Sequence, residues 1–270
     1  MTTTTTTTTA TARQPVLFVG HGSPMNAIED NTYSRAWRAL GASLSAPRAI
    51  LAVSAHWYGP GTFVTGQAAP PTIHDFGGFP RQLFEMQYPA SGSDALAQRV
   101  LSLVPSTPPA STNDEWGYDH GTWSVLTHLR PKADLPVIQL SLNASLTPEQ
   151  HLAVGRSLQP LRDEGVLIVA SGNVTHNLRQ AMQSMRSGDT TKPAWAERFD
   201  ADVVTRLEQR DRSGLARLAT TDDGRMSHPT VDHWLPMLYA AAAASDDDAV
   251  RYPVMGWDAG SLSMRSVRFG

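Results

Sequence analysis

The chain has 270 residues, 41% of them hydrophobic and 17% charged, a globular composition with ample apolar surface for a buried core. Its formal charge is -3 and its 22 Lys and Arg are scattered without a basic stripe, which argues against nucleic acid or an anionic membrane as the main partner. It contains no cysteine, which excludes a disulfide scaffold, thiolate zinc sites, iron–sulfur clusters and Cys nucleophiles, so any metal must be held by nitrogen and oxygen.

Residues 1–13 open with the homopolymer Thr2–Thr9 and read as an unstructured leader. It has neither the basic start nor the apolar stretch of a secretory signal. The longest apolar run, Pro236 to Ala244, is far short of the ~20 residues of a membrane span, so the expected compartment is the cytoplasm. Val16 to Gly20 (VLFVG) reads as the first buried strand, Ala49 to Ser54 (AILAVS) as the second, Val137 to Leu142 (VIQLSL) as the third and Val166 to Ser171 (VLIVAS) as the fourth. Segments 30–44, 92–104, 147–161, 193–209 and 230–244 carry apolar residues at helical spacing. Thr147-Pro148-Glu149-Gln150 opens one of them with a Thr cap, Pro at the first position and Gln at the third. Residues 59–91, dense in Gly and Pro, predict a small hairpin and an excursion over the sheet. The last dozen residues predict a final strand at an edge.

Continuous apolar strands alternating with helices predict an α/β fold. It is a single domain with a central, largely parallel or mixed sheet, helices on both faces, and an active site at the C-terminal strand ends. Three of the strand runs deliver a histidine just past their end: Gly20-His21-Gly22-Ser23-Pro24, Ala55-His56-Trp57 and Gly172-Asn173-Val174-Thr175-His176-Asn177. A fourth candidate lies in Ser227-His228-Pro229-Thr230-Val231-Asp232-His233-Trp234, where Thr230 can cap a helix whose first turn holds His233. His228 and His233 lie about 140° apart on a helix, so both cannot face one metal, and His233 on the ordered turn is preferred. A lone His after a strand is usually a loop residue bonded to backbone. The group is different, because neutral imidazole is the commonest metal ligand and no thiolate competes.

His128 and His151 fall within helical patterns and read as surface or packing residues. His74 and Asp75 sit in the excursion, facing either substrate or solvent. Glu115 to Trp123 reads either as a loop placing His120 in an aromatic-walled crevice or as a turn with an aromatic plug. Trp57 and Trp234 line a pocket or belong to the core. There is no GxGxxG after the first strand, no GxxxxGK[ST], no G-x-S-x-G elbow and no HExxH.

Taken together, Gly20-His21-Gly22-Ser23-Pro24-Met25, Ser54-Ala55-His56-Trp57, Asp119-His120-Gly121, Gly172 to Asn177 and His228 to His233 resemble the 4,5-DOPA extradiol dioxygenase type of the class III (LigB-like) ring-cleavage dioxygenases. The match runs from about residue 15 to the C-terminus, so residues 14–270 are expected to be the catalytic domain. The resemblance implies a mononuclear non-haem metal and a catechol cleaved by O₂ beside its diol. By that likeness His21, His56 and His233 fall where metal ligands lie, His176 is a fourth ligand or an acid/base residue, and His120 is an active-site histidine. Protocatechuate-type members use two His and a carboxylate, whereas His233 stands at the matching third position here. An all-His set suits Zn(II) as well as the Fe(II) that oxygen chemistry requires. The implied partners are a small aromatic diol and O₂, with no nucleic acid and no membrane, and the expected assembly is a monomer or small homo-oligomer.

In the implied mechanism a base takes the second phenolic proton and an acid helps break the O–O bond, with His176 and His120 as the candidates. Other readings remain open. Val-Gly-His-Gly-Ser also looks like the start of a sirohydrochlorin-type chelatase. A zinc-dependent hydrolase would use Asp119, Asp75 or Asp232 as base. A non-catalytic metal-binding protein would need only the histidines.

Overall fold

Unbroken apolar runs form strands here because both of their faces are covered, so no residue on them needs to meet water. A computed structural model describes residues 12–105 and 109–270; the expected leader lies outside the described residues except for Ala12 and Arg13. The strands are β1 (Val16–Gly20), β2 (Ala49–Gly59), β3 (Thr62–Thr65), β4 (Ala110–Asn113), β5 (Val137–Asn143), β6 (Val166–Gly172), β7 (Val250–Val254), β8 (Trp257–Asp258), β9 (Leu262–Ser263) and β10 (Ser266–Phe269). The helices are α1 (Thr32–Ser43), α2 (Arg81–Phe84), α3 (Asp94–Leu103), α4 (His120–Leu129), α5 (Pro148–Ser157), α6 (Pro160–Asp163), α7 (Leu178–Ser187), α8 (Ala194–Glu208), α9 (Arg212–Leu218), α10 (Asp222–Ser227) and α11 (Leu235–Ala243).

One mixed sheet of eight strands runs in the order β4-β3-β5-β2-β6-β1-β10-β7, with β5, β2, β6 and β1 parallel at its centre. Side chains alternate across it. Val16, Phe18, Leu51, Val53, Ile168 and Ala170 pack with α5, α8, α9 and α11 on one face. Leu17, Val19, Ile50, Leu167 and Val169 pack with α1 and α4 on the other. Helix α11 is apolar on every side and wholly buried, as such a helix must be. The Thr147 cap forms a reciprocal capping box with Gln150, and Gly165 at φ 81° turns the chain into β6. Among the described residues no helix is long and apolar enough to cross a membrane.

The structure corrects two sequence expectations. The C-terminal strand β10 is not at the edge: it inserts between β1 and β7, antiparallel to both. Residues 59–65 do not make a hairpin, because β5 already occupies the side of β2 where β3 would pair. The chain turns at Gly61 (φ 93°), crosses the end of β5, and β3 pairs antiparallel with β5 and parallel with β4.

Helices α1 and α4 meet at Gly41, where an added Cβ would lie 2.2 Å from the Leu129 carbonyl oxygen. Ala favours a helix over Gly by about 1 kcal/mol. A backbone oxygen cannot swing aside, and overpacking costs typically about 1–3 kcal/mol. Gly41→Ala is therefore expected to lower stability, and a urea midpoint at or above that of the wild type would show that the two helices can part freely.

Candidate active site and metal centre

The parallel register sets three strand ends side by side. Gly20 pairs with Gly172 and Ser54 with Ser171, and the His21 N–H donates to the Gly172 carbonyl at 3.0 Å. His21 follows β1 directly. His56 lies inside β2, not beyond it, where the pairing with β5 shifts register between Val53 and Tyr58. Such an irregularity re-aims side chains. His120 is the first residue of α4, after the cap Asp119. Gly121 lets that helix approach, since a Cβ there would lie 2.5 Å from Ser54 Oγ and 2.8 Å from His56 Cδ2. His176 lies in the loop after β6.

His233 sits in a turn before α11 rather than in its first turn. Trp234, not Thr230, occupies the position before the helix and makes no side-chain cap, and the turn is closed by the Trp234 N–H donating to the Val231 carbonyl at 2.9 Å. Because the turn is not helical, Asp232 does not point away: its carboxylate accepts from His233 Nδ1.

Four of the imidazoles, those of His21, His56, His120 and His233, have a partner behind them. Ser171 Oγ is 2.9 Å from His21 Nδ1 and gives its own proton to the Gly121 carbonyl at 2.6 Å, so it accepts from His21. Asp75 Oδ2 lies 3.1 Å from His56 Nδ1 and 3.0 Å from His120 Nδ1. Acceptors on Nδ1 fix the Nδ1–H tautomer and leave the Nε2 lone pair bare in His21, His56, His120 and His233. His56 Nε2 faces His21 Nε2 at 3.2 Å. Two bare lone pairs at that distance call for a cation between them.

The electrostatics agree. Burial and the neighbouring imidazoles hold the pKa values of His21 and His233 well below the usual histidine value. Burial, then His56, lowers that of His120, and burial brings His176 down to about 4. Burial also pulls His56 down, but the hydrogen bond to Asp75 and the charges of Asp119, Asp75 and Asp232 outweigh it, and its pKa is raised. Neutral donors ringed by carboxylates favour positive charge at the centre. His21, His56 and His120 place donor atoms within 4.8 Å of one another and could hold a metal ion. The ring centroids of His233 lie 5.2 Å from His21 and 5.0 Å from His56, and His176 stacks on His233 at 3.4 Å and 3°.

The family of catalytic LigB subunits of aromatic ring-opening dioxygenases matches residues 15–265. The chain belongs to the LigB family. It is thus a ring-cleavage dioxygenase, which sets aside the chelatase and purely metal-binding readings. The 4,5-DOPA dioxygenase extradiol of Escherichia coli K12 is 46% identical over 264 residues, covering 97% of this chain and 96% of that one. That of Beta vulgaris is 35% identical over 259 residues, covering 93% and 95%. The crystal structure of an uncharacterised protein from Escherichia coli K12 superposes with a TM-score of 0.80 at 40% identity, covering 96% of this chain and all of that one.

The other histidines of this LigB-family enzyme are engaged elsewhere. His128 Nε2 contacts the Asn26 carbonyl at 2.7 Å, His151 Nδ1 the Tyr239 hydroxyl at 3.0 Å, His74 Nε2 the Met86 carbonyl at 3.0 Å, and His228 Nε2 the Val174 carbonyl at 2.8 Å. Trp57 and Trp234 are buried in the body of the protein. Asp119 is fully buried and engaged by Ser54, Gln139 and the Thr122 N–H. The contacts of Asp75 and Ser171 with the imidazoles could not be read from sequence, since each lies far along the chain from the ring it holds.

Burial lowers the pKa of His151 to about 4, whereas an unfolded histidine titrates near 6.5. Between those values the unfolded chain binds more protons, so stability is full above about 6.5 and falls as pH drops toward 4. The metal-free protein is expected to lose urea resistance over that window, and less steeply as His151→Gln. Identical slopes would place the acid sensitivity elsewhere.

Proposed function

We propose that this enzyme cleaves a DOPA-like catechol beside its diol with O₂, using one divalent metal ion held by His21, His56 and His233. The observation that carries the ligand set is the spacing of the rings. Zinc–nitrogen bonds of about 2.0–2.1 Å in a tetrahedral arrangement put imidazole centroids about 5.2 Å apart. The His21–His56, His21–His233 and His56–His233 centroids lie 5.0, 5.2 and 5.0 Å apart. His120, whose donor atoms group with those of His21 and His56 within 4.8 Å, fits this ring spacing less evenly, at 5.7 Å from His21 and 3.8 Å from His56. When bound, the ion would acidify the diol and hold O₂ beside the ring, a task for Fe(II), although Zn(II) suits the same imidazoles.

The parallel stack separates the roles of the other pair. The His176 ring lies parallel on that of His233, 3.4 Å away, so His233 would be the one of the two to help hold the ion. His176 is therefore left to move protons. His176 and His120, both neutral near pH 7, accept the phenolic proton at a bare ring nitrogen and return it as the O–O bond breaks. Phe76, with its ring 5.5 Å from that of His120 and 6.2 Å from that of Trp123, offers an apolar wall that excludes water and packs on a substrate ring. A hydrolase would need a free carboxylate base, yet Asp75 and Asp232 are bonded to imidazoles and Asp119 is buried in its own network.

Fe(II)-loaded protein given DOPA-like catechols in air is expected to consume O₂ and form a coloured ring-opened product. No O₂ uptake with any catechol would overturn the reading. His21→Ala is expected to empty the site. His120→Gln is expected to keep its metal and lose about 10²–10⁴-fold in turnover, the contribution of a positioned acid or base. Metal loss in His120→Gln would make His120 a ligand instead.

A further inference from the structure

One carboxylate that touches the imidazole cluster comes from the Gly/Pro-rich excursion. Asp75 Oδ2 faces the Nδ1 atoms of His56 and His120 at 3.1 and 3.0 Å, and its Oδ1 accepts the His120 backbone N–H at 2.8 Å. One side chain thus touches two rings and the start of α4. The chain just ahead of it is pinned. The Ile73 N–H donates to the Tyr118 carbonyl at 2.7 Å, the Tyr118 N–H to the Pro71 carbonyl at 2.8 Å, and Trp123 Nε1–H to the Ile73 carbonyl at 2.8 Å. Phe76, the next residue, packs against Phe79 and Phe84 with centroids 5.4 and 5.1 Å away. The excursion is therefore bonded to the segment that enters α4 ahead of Asp75, and after it Phe76 packs on His120 and Trp123 of α4 itself, with centroids 5.5 and 6.2 Å away.

We infer that Asp75 is a positioning residue serving two imidazoles at once, fixing His56 to offer its Nε2 lone pair to the metal and His120 to offer its own to the substrate proton. This rests on the ligand and proton-transfer roles proposed above. Metal retention and proton transfer then share one carboxylate, and both depend on the excursion being in place. An amide cannot substitute. If its oxygen faces the two rings, its NH₂ meets the His120 backbone N–H. If its NH₂ faces the rings, each must move its proton to Nε2 and lose the lone pair it needs.

The test compares wild-type and Asp75→Asn protein in two measurements: Zn(II) affinity by competition with a chromophoric chelator, and the imidazole ¹⁵N shifts of the metal-free protein at mildly alkaline pH. Asp75→Asn is expected to bind Zn(II) about 10–100-fold more weakly, as is usual when the partner behind a ligand is removed. The ¹⁵N spectra should move His56 and His120 away from the Nδ1–H form and leave His21 and His233 in it. Zn(II) affinity within twofold of wild type with unchanged tautomers overturns the inference. Should Asp75→Asn fail to fold, the wild-type spectrum decides: Nδ1–H in both rings supports it, and Nε2–H in either overturns it. Wild-type protein that does not retain Zn(II) would instead refute the metal-centre reading, while the tautomers still report on Asp75.

Discussion

The parallel pairing of β1, β6 and β2 is the constraint on which the rest depends. It aligns Gly20 with Gly172 and Ser54 with Ser171, so side chains from distant parts of the chain leave the sheet at one rim. Backbone bonds then bring the last partner in. The Asn173 N–H donates to the His233 carbonyl at 3.0 Å, and a Cβ on Gly172 would lie 2.3 Å from that same oxygen. The turn carrying His233 can therefore seat against β6 only because residue 172 has no side chain. An array of imidazoles is thereby held by hydrogen bonds that the fold must make anyway.

What this produces is a cluster of donors without protons, backed by charge. A buried, unpaired charge is costly, and His21, His120, His176 and His233 avoid that cost by remaining neutral, while His56 has the Asp75 carboxylate beside it. Asp75 and Asp232 are placed behind the rings, on Nδ1, rather than beside the bare Nε2 atoms. They polarise the rings without occupying the centre, the arrangement expected where outer partners set tautomer and basicity. The same placement removes both carboxylates from service as a hydrolytic base. The chemistry of the site thus follows from which nitrogen of each ring is taken.

Much of this was legible in the sequence, for identifiable reasons. Strands covered on both faces read as unbroken apolar runs, so β1, β2, β5 and β6 stand out, and the histidines that follow or end them mark the rim. Short or polar strands gave no such sign: β4 is Ala-Ser-Thr-Asn. Helix α7 buries only Ala181 and Ser184 and leaves Leu178, Met182 and Met185 exposed, so its apolar spacing does not mark a core face. His233 was found through the wrong local structure, because Thr230 has the chemistry of a cap while Pro236 marks where the helix begins. The contacts of Asp75 were invisible, since a carboxylate in a glycine-rich loop carries no periodicity that would point to His120, 45 residues on.

His21, His56 and His233 are proposed to converge their Nε2 atoms on one ion while His176 and His120 stand free. The most direct measurement is anomalous diffraction from Zn(II)-loaded crystals. One ion is expected at the strand ends, bonded by those Nε2 atoms at about 2.0–2.1 Å, with no bond to His176 or His120. An ion bonded by His120 or His176 in place of His233, or bound through Nδ1, would contradict it.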